Sequence, residues 1–325
     1  MKAAHLVGPK HFEIVDAEVP EVRDGNCLVN LERWSICGSD MRYEYGTVFP
    51  EEHYPVEVGT PCHELAGTIV ESRSDEWREG QRVIIIPSTH QGLVEYYESL
   101  PDRIIALPDD GDIGEWIMCQ PSGTVLFALQ QVGTLLGRTV LIIGQGAIGL
   151  SFTAMAARAG ARRVIAADLF DYRLEYSTKF GATHTINPST ELLDEAVEEI
   201  TGGELADVTV EAAGYTDTFA AACRLVKRGG SIIMFGGHQN TGDPNPTLPI
   251  EARDLLYRNV TLISTASSAS GSVTKHIETM VGLRQRGWWD PAEMVTHRLP
   301  FDEVNKAYDM YENRSDEIVK VVMNM

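Results

Sequence analysis

The stretch Val140–Asp168, VLIIGQGAIGLSFTAMAARAGARRVIAAD, decides the fold of this chain. It opens with an apolar run at 140–143 that is typical of a buried strand, followed by the glycine pattern G-x-G-x-x-G at 144–149. Small and apolar residues at helical spacing lead to a second apolar run, 164–167, which ends at Asp168, 19 residues after the last glycine. The order strand, glycine turn, helix, strand and acid predicts a βαβ unit that binds a dinucleotide.

Each glycine of the turn has its own physical role. Gly144 permits a tight turn, Gly146 lets the backbone approach a pyrophosphate, and Gly149 lets the helix pack closely on the strand. The start of the helix, at Ala147 and Ile148, offers free N–H groups and the positive end of the helix dipole to the phosphates. The alternative is an ordinary βαβ unit whose glycines serve packing alone.

The acid at the end of the second strand indicates which dinucleotide binds. The Asp168 carboxylate would accept hydrogen bonds from the two hydroxyls of the adenosine ribose. The same negative charge would repel a 2′-phosphate. The sequence therefore predicts NAD(H) as the cofactor, rather than NADP.

Composition and charge set the broad class of the protein. The chain has 325 residues and a formal net charge of −20, which argues against nucleic acids and anionic membranes as partners. It contains no apolar run of membrane-spanning length, and its N-terminus lacks the long apolar segment of a signal peptide. We expect a cytoplasmic protein with no membrane contact.

The pattern of strand, helix and turn residues changes along the chain. Short strand patterns separated by turn residues fill the N-terminal part and predict a β-rich module of barrel type. Strand and helix patterns then alternate, which predicts an α/β doubly wound parallel sheet. We expect a nucleotide domain at 122–265 inserted into a β-rich domain formed by 1–121 and 266–325.

Two segments of the β-rich part carry residues suited to chemistry. The first is Cys37-Gly38-Ser39-Asp40, and the second, 23 residues after Ser39, starts at Cys62 and continues with His63 and Glu64. Thiolate, imidazole and carboxylate are the ligands that zinc prefers. From spacing alone, a lone cysteine such as Cys37 is more often a buried small residue, and a His-Glu pair is more often a surface pair. The five cysteines include no C-x-x-C pair, so a disulfide framework is disfavoured.

Taken together, the motifs resemble the zinc-dependent medium-chain dehydrogenase/reductase family over essentially the whole chain, closest to its polyol, sugar and threonine dehydrogenase branch. The resemblance implies a GroES-like catalytic domain, a Rossmann NAD-binding domain and one catalytic zinc. The motifs are CGSD at 37–40, HELAG at 63–67, GLVEYYESLPDRIIALPD at 92–109, GQGAIG at 144–149, the Asp168–Arg173 pair, and EAAG at 211–214.

The resemblance also implies roles for single residues. Cys37 and His63 match the first two ligands of the catalytic zinc, and Ser39 matches the hydroxyl that takes the substrate proton. Asp40 matches an acid that orients the zinc-binding histidine, and Glu64 matches an acid beside the metal that binds it in some branches. In the nucleotide domain, Asp168 and Arg173 match the acid and base that flank the adenosine ribose.

The third zinc ligand departs from the family pattern. The segment Met118-Cys119-Gln120-Pro121 has a glutamine where the polyol-type pattern has the glutamate of Glu-Pro. We expect Cys37, His63 and Glu64 as ligands, with Gln120 nearby or ligating weakly. Cys119 fits the spacing of the alcohol dehydrogenase branch and remains the alternative.

Two further departures concern the substrate side of the site and the metal content. Only eight residues, without a cysteine, separate Val83 from Gly92, so the structural-zinc lobe of many relatives is absent. Arg42 occupies the position where many relatives have a histidine that passes the proton to solvent, and arginine stays protonated. Arg42 could bind a substrate carboxylate, phosphate or hydroxyl, or pair with a nearby glutamate. The resemblance implies that Tyr43 lines the pocket, and a place in the core is the equal alternative.

The sequence thus predicts an oxidoreductase that transfers a hydride between the CH–OH group of a small alcohol, polyol or sugar and NAD. The alternatives are a zinc-free quinone or enoyl reductase of the same superfamily and a non-catalytic NAD-binding protein. The resemblance implies a homodimer or homotetramer formed through the edge of the Rossmann sheet, around Asn259–Thr265. The nicotinamide is expected near Gly236-Gly237 and 264–266.

Overall fold

The computed structural model describes residues 1–41, 45, 49–236, 247–248, 250–266 and 271–325. The chain divides into two compact units. Unit 1 consists of Met1–Gly123 together with Gly271–Met325, and unit 2 consists of Thr124–Ser270.

The N-terminal part of the chain consists mainly of short strands. Its elements are β1 (Lys2–Gly8), β2 (His11–Asp16), β3 (Cys27–Ser35), β4 (Glu64–Ser72), β5 (Arg82–Ile85), β6 (Tyr96–Ser99), β7 (Ile104–Ala106), α1 (Ile113–Trp116) and α2 (Cys119–Val132).

Strands and helices alternate through unit 2. Its elements are β8 (Thr139–Ile143), α3 (Ala147–Arg158), β9 (Arg163–Ala167), α4 (Asp171–Phe180), β10 (His184–Ile186), α5 (Leu193–Thr201), β11 (Ala206–Glu211), α6 (Thr216–Leu225), β12 (Val226–Met234), α7 (Ala252–Arg258) and β13 (Thr261–Ser264).

The sheet of unit 2 is parallel throughout, in the order β10-β9-β8-β11-β12-β13. Every residue of β8 is buried, which is why this strand is a continuous apolar run without alternation. The chain runs outward from β8 through β9 to β10, and then from β11 through β12 to β13. The carboxyl ends of β8 and β11 therefore flank the switch point where such sheets bind ligands. The predicted doubly wound sheet is confirmed.

The C-terminal part of the chain completes unit 1. It adds α8 (Lys275–Gln285), β14 (Val295–Pro300), α9 (Val304–Asn313) and β15 (Lys320–Asn324). The main sheet of unit 1 has the order β14-β15-β3-β4-β5-β7, with β6 also paired to β3, and β1 pairs separately with β2. The last strand thus lies directly beside β3, near the start of the chain.

A large apolar cluster forms part of the core of unit 1. Trp34 on β3 is fully buried; its ring lies 4.6 Å from that of Phe301, and its indole N–H donates to the Gly92 carbonyl at 2.8 Å. The cluster also includes Tyr45 and Tyr308, with ring centroids 4.9 Å apart. The loops that carry the chemistry are therefore attached to a rigid core. Among the described residues, no helix combines the length and apolar character needed to span a bilayer.

Candidate functional site

Two of the three glycines in the turn after β8 are required by close backbone contacts. Gly144 has φ +93°, and a Cβ there would lie 2.8 Å from the backbone nitrogen of Ala213. A Cβ on Gly149 would lie 1.8 Å from the Gly144 carbonyl oxygen, so only glycine lets α3 approach β8 this closely.

Gly146 faces open space at the N-terminus of α3. It is the N-cap residue, and no described atom lies within 4 Å of the position that its Cβ would take. The helix begins at Ala147 and continues with Ile148, so the free N–H groups of the first turn lie at this opening. A helix start of this kind accommodates an anion such as a pyrophosphate.

Asp168 is anchored beside the glycine turn at the carboxyl end of β9. Its carboxylate accepts hydrogen bonds from the backbone N–H of Gln145 at 2.6 Å and of Phe170 at 3.0 Å. The Arg173 guanidinium lies 3.6 Å from the same carboxylate and 5.2 Å from the centroid of the Phe170 ring. The two residues expected to flank a ribose are therefore in contact.

A buried carboxylate at the end of β11 was not singled out by the sequence, although it opens the EAAG motif. Glu211 accepts hydrogen bonds from the N–H groups of Ala213 at 2.9 Å and Gly214 at 2.7 Å, and from the hydroxyl of Thr218 at 2.8 Å. Burial raises the pKa of Glu211, and these donors act against that shift. The side chain thus fixes the loop beside the predicted nucleotide site.

Cys37, His63 and Glu64 come together in unit 1. Their potential ligand atoms all lie within 4.8 Å of one another. Cys37 follows β3 and Glu64 opens β4, and the antiparallel pairing of Ser35 with Glu64 brings the two segments side by side. The sheet register therefore creates the cluster from residues that are distant in sequence.

Asp40 and Ser39 complete the immediate surroundings of His63. The buried Asp40 carboxylate contacts His63 Nδ1 at 2.9 Å and accepts the Cys37 backbone N–H at 2.9 Å. His63 Nε2 lies 3.5 Å from the Ser39 hydroxyl. Because Asp40 holds Nδ1, Nε2 is the ring nitrogen left to face the cluster, the arrangement typical of metal-binding histidines.

Lys320 is a second residue that sequence reasoning missed. Its ammonium group on β15 is buried and lies 2.9 Å from both Glu64 oxygens, and it donates to the Ile36 carbonyl at 2.6 Å. Burial lowers the pKa of Lys320, but the Glu64 carboxylate more than offsets this effect, and the pKa is raised. The sequence feature that could have indicated its role is a single lysine in the last strand, whose neighbouring residues are mostly apolar.

The two alternatives for the third ligand lie at the start of α2. Gln120 is 6% exposed, whereas Cys119 is fully buried. Burial raises the pKa of the Cys119 thiol to about 12, and the charge of Arg284 only partly opposes this shift. Among the described residues, Cys119 is not part of the Cys37 cluster. Arg42, Tyr43 and Gly237 lie outside the described residues.

Comparison with known proteins identifies the family of the chain. Residues 147–282 match the family model described as zinc-binding dehydrogenase, and residues 23–125 match the alcohol dehydrogenase GroES-like domain. The two models together cover more than half of the chain. The chain belongs to the zinc-type medium-chain dehydrogenase/reductase family. The predicted GroES-like and Rossmann fold class and the expected resemblance are confirmed.

Individual relatives agree with this assignment. The chain is 28% identical to an alcohol dehydrogenase of Cupriavidus necator, covering 99% of this chain and 98% of the relative. It is 26% identical to a sorbitol dehydrogenase of Bombyx mori, with the same coverage. An alcohol dehydrogenase structure from Thermus sp. ATN1 superposes with a TM-score of 0.87 at 22% identity and covers all of both chains. The protein is an enzyme of the dehydrogenase class, a family that uses zinc and a nicotinamide cofactor.

Proposed function

We propose that this dehydrogenase oxidises the CH–OH group of an alcohol, polyol or sugar, with one catalytic zinc ion and with NAD as the hydride acceptor. The observation that carries the proposal is the convergence of Cys37, His63 and Glu64 within 4.8 Å. An alcohol dehydrogenase and a sorbitol dehydrogenase among the relatives support the substrate class.

The chemistry of the cluster fits zinc. A thiol, an imidazole and a carboxylate are three suitable ligands, and tetrahedral zinc holds such atoms about 3.3–3.8 Å apart, so a small contraction would suffice. We propose Cys37 and His63 as the principal ligands. Glu64 would be the third, with its charge partly balanced by Lys320. Gln120 would lie close to the ion or bind it weakly.

The residues around the cluster have separate tasks in the proposed reaction. When bound, zinc would supply Lewis acidity to the substrate oxygen, and the nicotinamide would supply the hydride acceptor. Ser39, whose oxygen lies 3.5 Å from His63 Nε2, would accept the proton of the substrate hydroxyl and release its own proton to solvent. Asp40 would keep His63 in the correct orientation through the 2.9 Å contact with Nδ1.

The preference for NAD over NADP rests on Asp168. Its carboxylate is held by two backbone N–H groups at the end of β9, so it cannot easily swing away from a 2′-phosphate. Arg173 lies 3.6 Å from it and would contribute to the ribose side of the pocket. We infer that the anchored negative charge selects the unphosphorylated ribose.

The edge of the Rossmann sheet supports the proposed dimer or tetramer. Strand β13 is one of the two edge strands of the sheet in unit 2, and it carries exposed Leu262. The preceding helix α7 exposes Leu256 and Tyr257, which are 75% and 66% accessible. An edge strand with adjacent exposed apolar side chains is suited to pairing with a second copy of the chain. Analytical ultracentrifugation would measure the oligomeric state of the protein.

Metal content tests the proposed function directly. We expect about one zinc per chain in the purified protein by elemental analysis, and a loss of alcohol oxidation on treatment with a chelator. Cys37→Ser should lose both zinc and activity, whereas Cys223→Ser, on α6, should keep both. Well under one zinc per chain, with activity unchanged by chelators, would contradict the proposal.

A substrate panel separates the alternative functions. Polyols, aldoses and simple alcohols should be tested with NAD and with NADP, beside an activated alkene with the reduced cofactors. Reduction of the alkene in preference to oxidation of any alcohol would favour a quinone or enoyl reductase. NAD binding without turnover of any compound would favour a non-catalytic protein.

A further inference from the structure

The residue between the first two glycines of the turn after β8 is a buried glutamine. Gln145 has none of its surface exposed to solvent. A primary amide gives up its hydrogen bonds to water when it is buried, and the loss is tolerated where the protein replaces them. The contacts of this side chain therefore show what it holds in place.

Both polar atoms of the Gln145 carboxamide have partners. Nε2 donates to the Ile142 carbonyl at 3.2 Å, and Oε1 accepts from the Thr153 hydroxyl at 2.8 Å and from the Ser177 hydroxyl at 3.0 Å. Because a backbone carbonyl can only accept, it fixes which end of the amide is the nitrogen. Thr153 and Ser177 are fully buried as well. The carboxamide thus joins β8, α3 and α4.

Two routes lead from Gln145 to the carboxylate of Asp168. The first is direct, since the Gln145 backbone N–H donates to Asp168 at 2.6 Å. The second runs through α4, where the Ser177 hydroxyl lies 2.7 Å from the Arg173 carbonyl, one helical turn earlier. The Arg173 guanidinium lies 3.6 Å from the Asp168 carboxylate. A displacement of Gln145 would therefore alter both contacts of this acid.

Gln145 also directly precedes the opening where the pyrophosphate is expected. Gly146 is the N-cap residue of α3, and Thr153 lies further along the same helix. A tilt of the glycine turn against α3 or α4 would break the hydrogen bonds of the carboxamide, which are strengthened by their exclusion from water. The carboxamide thus fixes the helix start and the Asp168 carboxylate relative to each other.

We propose that Gln145 is a positioning residue that sets the distance from the pyrophosphate opening to Asp168, and that this distance makes the site select NAD over NADP. The pyrophosphate and the ribose of a dinucleotide are covalently linked, so a bound pyrophosphate places the ribose hydroxyls at a set distance. A carboxylate held there accepts their hydrogen bonds and repels a 2′-phosphate. Since its side chain is fully buried, Gln145 acts through Asp168 and the turn. This inference rests on the proposed function.

Gln145→Met tests the inference, because methionine has a similar length but lacks the carboxamide. Fluorescence titrations of the full chain give the Kd of NADH and of NADPH. The Kd of NADH should rise about tenfold, as for the loss of one hydrogen bond to the ribose, while that of NADPH changes less than about threefold. Thr209→Val is the control, since it removes another fully buried hydroxyl that donates to a carbonyl in unit 2. It should keep the wild-type ratio of the two Kd values.

A triple variant separates positioning from stability. Gln145→Met leaves the Thr153 hydroxyl without its acceptor, so its urea midpoint should fall. Adding Thr153→Val and Ser177→Ala removes the hydroxyls too and should restore most of the midpoint, while the Kd ratio stays shifted. The triple variant carries the test if Gln145→Met does not fold. A wild-type ratio in the triple variant, or its failure to fold, would show a purely structural role and overturn the inference.

The failure of the inference and the failure of the proposed function have different signatures. A wild-type protein that prefers NADH, together with an unchanged Kd ratio in Gln145→Met, would overturn only the inference. A wild-type protein that binds neither cofactor, or binds NADPH as tightly as NADH, would overturn the proposed use of NAD, and the inference with it.

Discussion

Gly146 and Gly149 are three residues apart, yet alanine should affect them in opposite ways. At Gly146, φ is −68°, an ordinary value for any residue, and a methyl group would meet no described atom within 4 Å. Alanine is a poorer N-cap residue than glycine but lowers the entropy of the unfolded chain. We expect the free energy of unfolding of Gly146→Ala to stay within about 1 kcal/mol of wild type.

The added methyl group should act on NAD. It would occupy the opening beside the first turn of α3, where the pyrophosphate is expected, and would keep the phosphate oxygens out of hydrogen-bond range. Losing two charge-assisted hydrogen bonds of about 1.5 kcal/mol each would cost about 3 kcal/mol. The Kd of NADH should therefore rise roughly a hundredfold in Gly146→Ala.

Gly149→Ala is the matched control. Its methyl group would lie 1.8 Å from the oxygen and 2.7 Å from the carbon of the Gly144 carbonyl, and backbone cannot turn aside as a side chain does. Either α3 or the glycine turn must move. We expect the free energy of unfolding to fall by about 3 kcal/mol, the upper range for an overpacked core.

Urea unfolding and NADH fluorescence titrations on the two variants would decide the matter. Wild-type NADH affinity in Gly146→Ala would refute the assignment of this opening to the pyrophosphate. Wild-type stability in Gly149→Ala would refute the packing argument.

Two other substitutions have defined outcomes. Asp168→Asn should raise the ratio of kcat/KM for NADP to that for NAD at least about tenfold, because the charge that repels a 2′-phosphate is removed. Asp171→Asn, the exposed acid that starts α4, is its control, and an unchanged ratio in Asp168→Asn would contradict the cofactor argument. Lys320→Met should lower the free energy of unfolding by about 3 kcal/mol, since Glu64 would remain buried without its cation. Lys306→Met, which breaks a surface ion pair, should lower the free energy of unfolding by less than about 1 kcal/mol in a urea titration. Equal decreases in the two variants would contradict the argument that the buried ion pair matters more to stability than the exposed one.

The nucleotide unit could be predicted because its signals are local. The apolar run of β8, the glycine turn and the acid after β9 lie within 29 consecutive residues. Each of these residue types is required by the backbone structure of that same segment. The structure shows those requirements at Gly144 and Gly149 as contacts that no side chain could tolerate.

Features of the candidate metal site that depend on distant partners could not be predicted in the same way. Nothing near Glu64 in sequence indicates Lys320, because the two meet only through the pairing of β15 with β3 and of β3 with β4. The contact between the rings of His63 and His90 likewise depends on backbone hydrogen bonds between separate loops.

The choice between Cys119 and Gln120 as the third ligand depends on how α2 is oriented. Successive helical residues point about 100° apart, so the face of each depends on how α2 is rotated against the core. The sequence did not determine that rotation. The structure buries both side chains, Cys119 completely and Gln120 with 6% of its surface exposed, so the identity of the third ligand stays a prediction.

The ion pair between Glu64 and Lys320 also has a consequence for biosynthesis. The two residues are 256 positions apart, and all of unit 2 is translated between them. At ribosomal speeds of about 5–20 residues per second, roughly 13–50 s pass between the translation of Glu64 and the translation of its partner Lys320. The nucleotide-binding unit can fold during that interval, whereas the unit with the candidate metal site must wait for β15. The residues that would bind the metal are therefore translated early, but the candidate site is complete only after β15 has been translated.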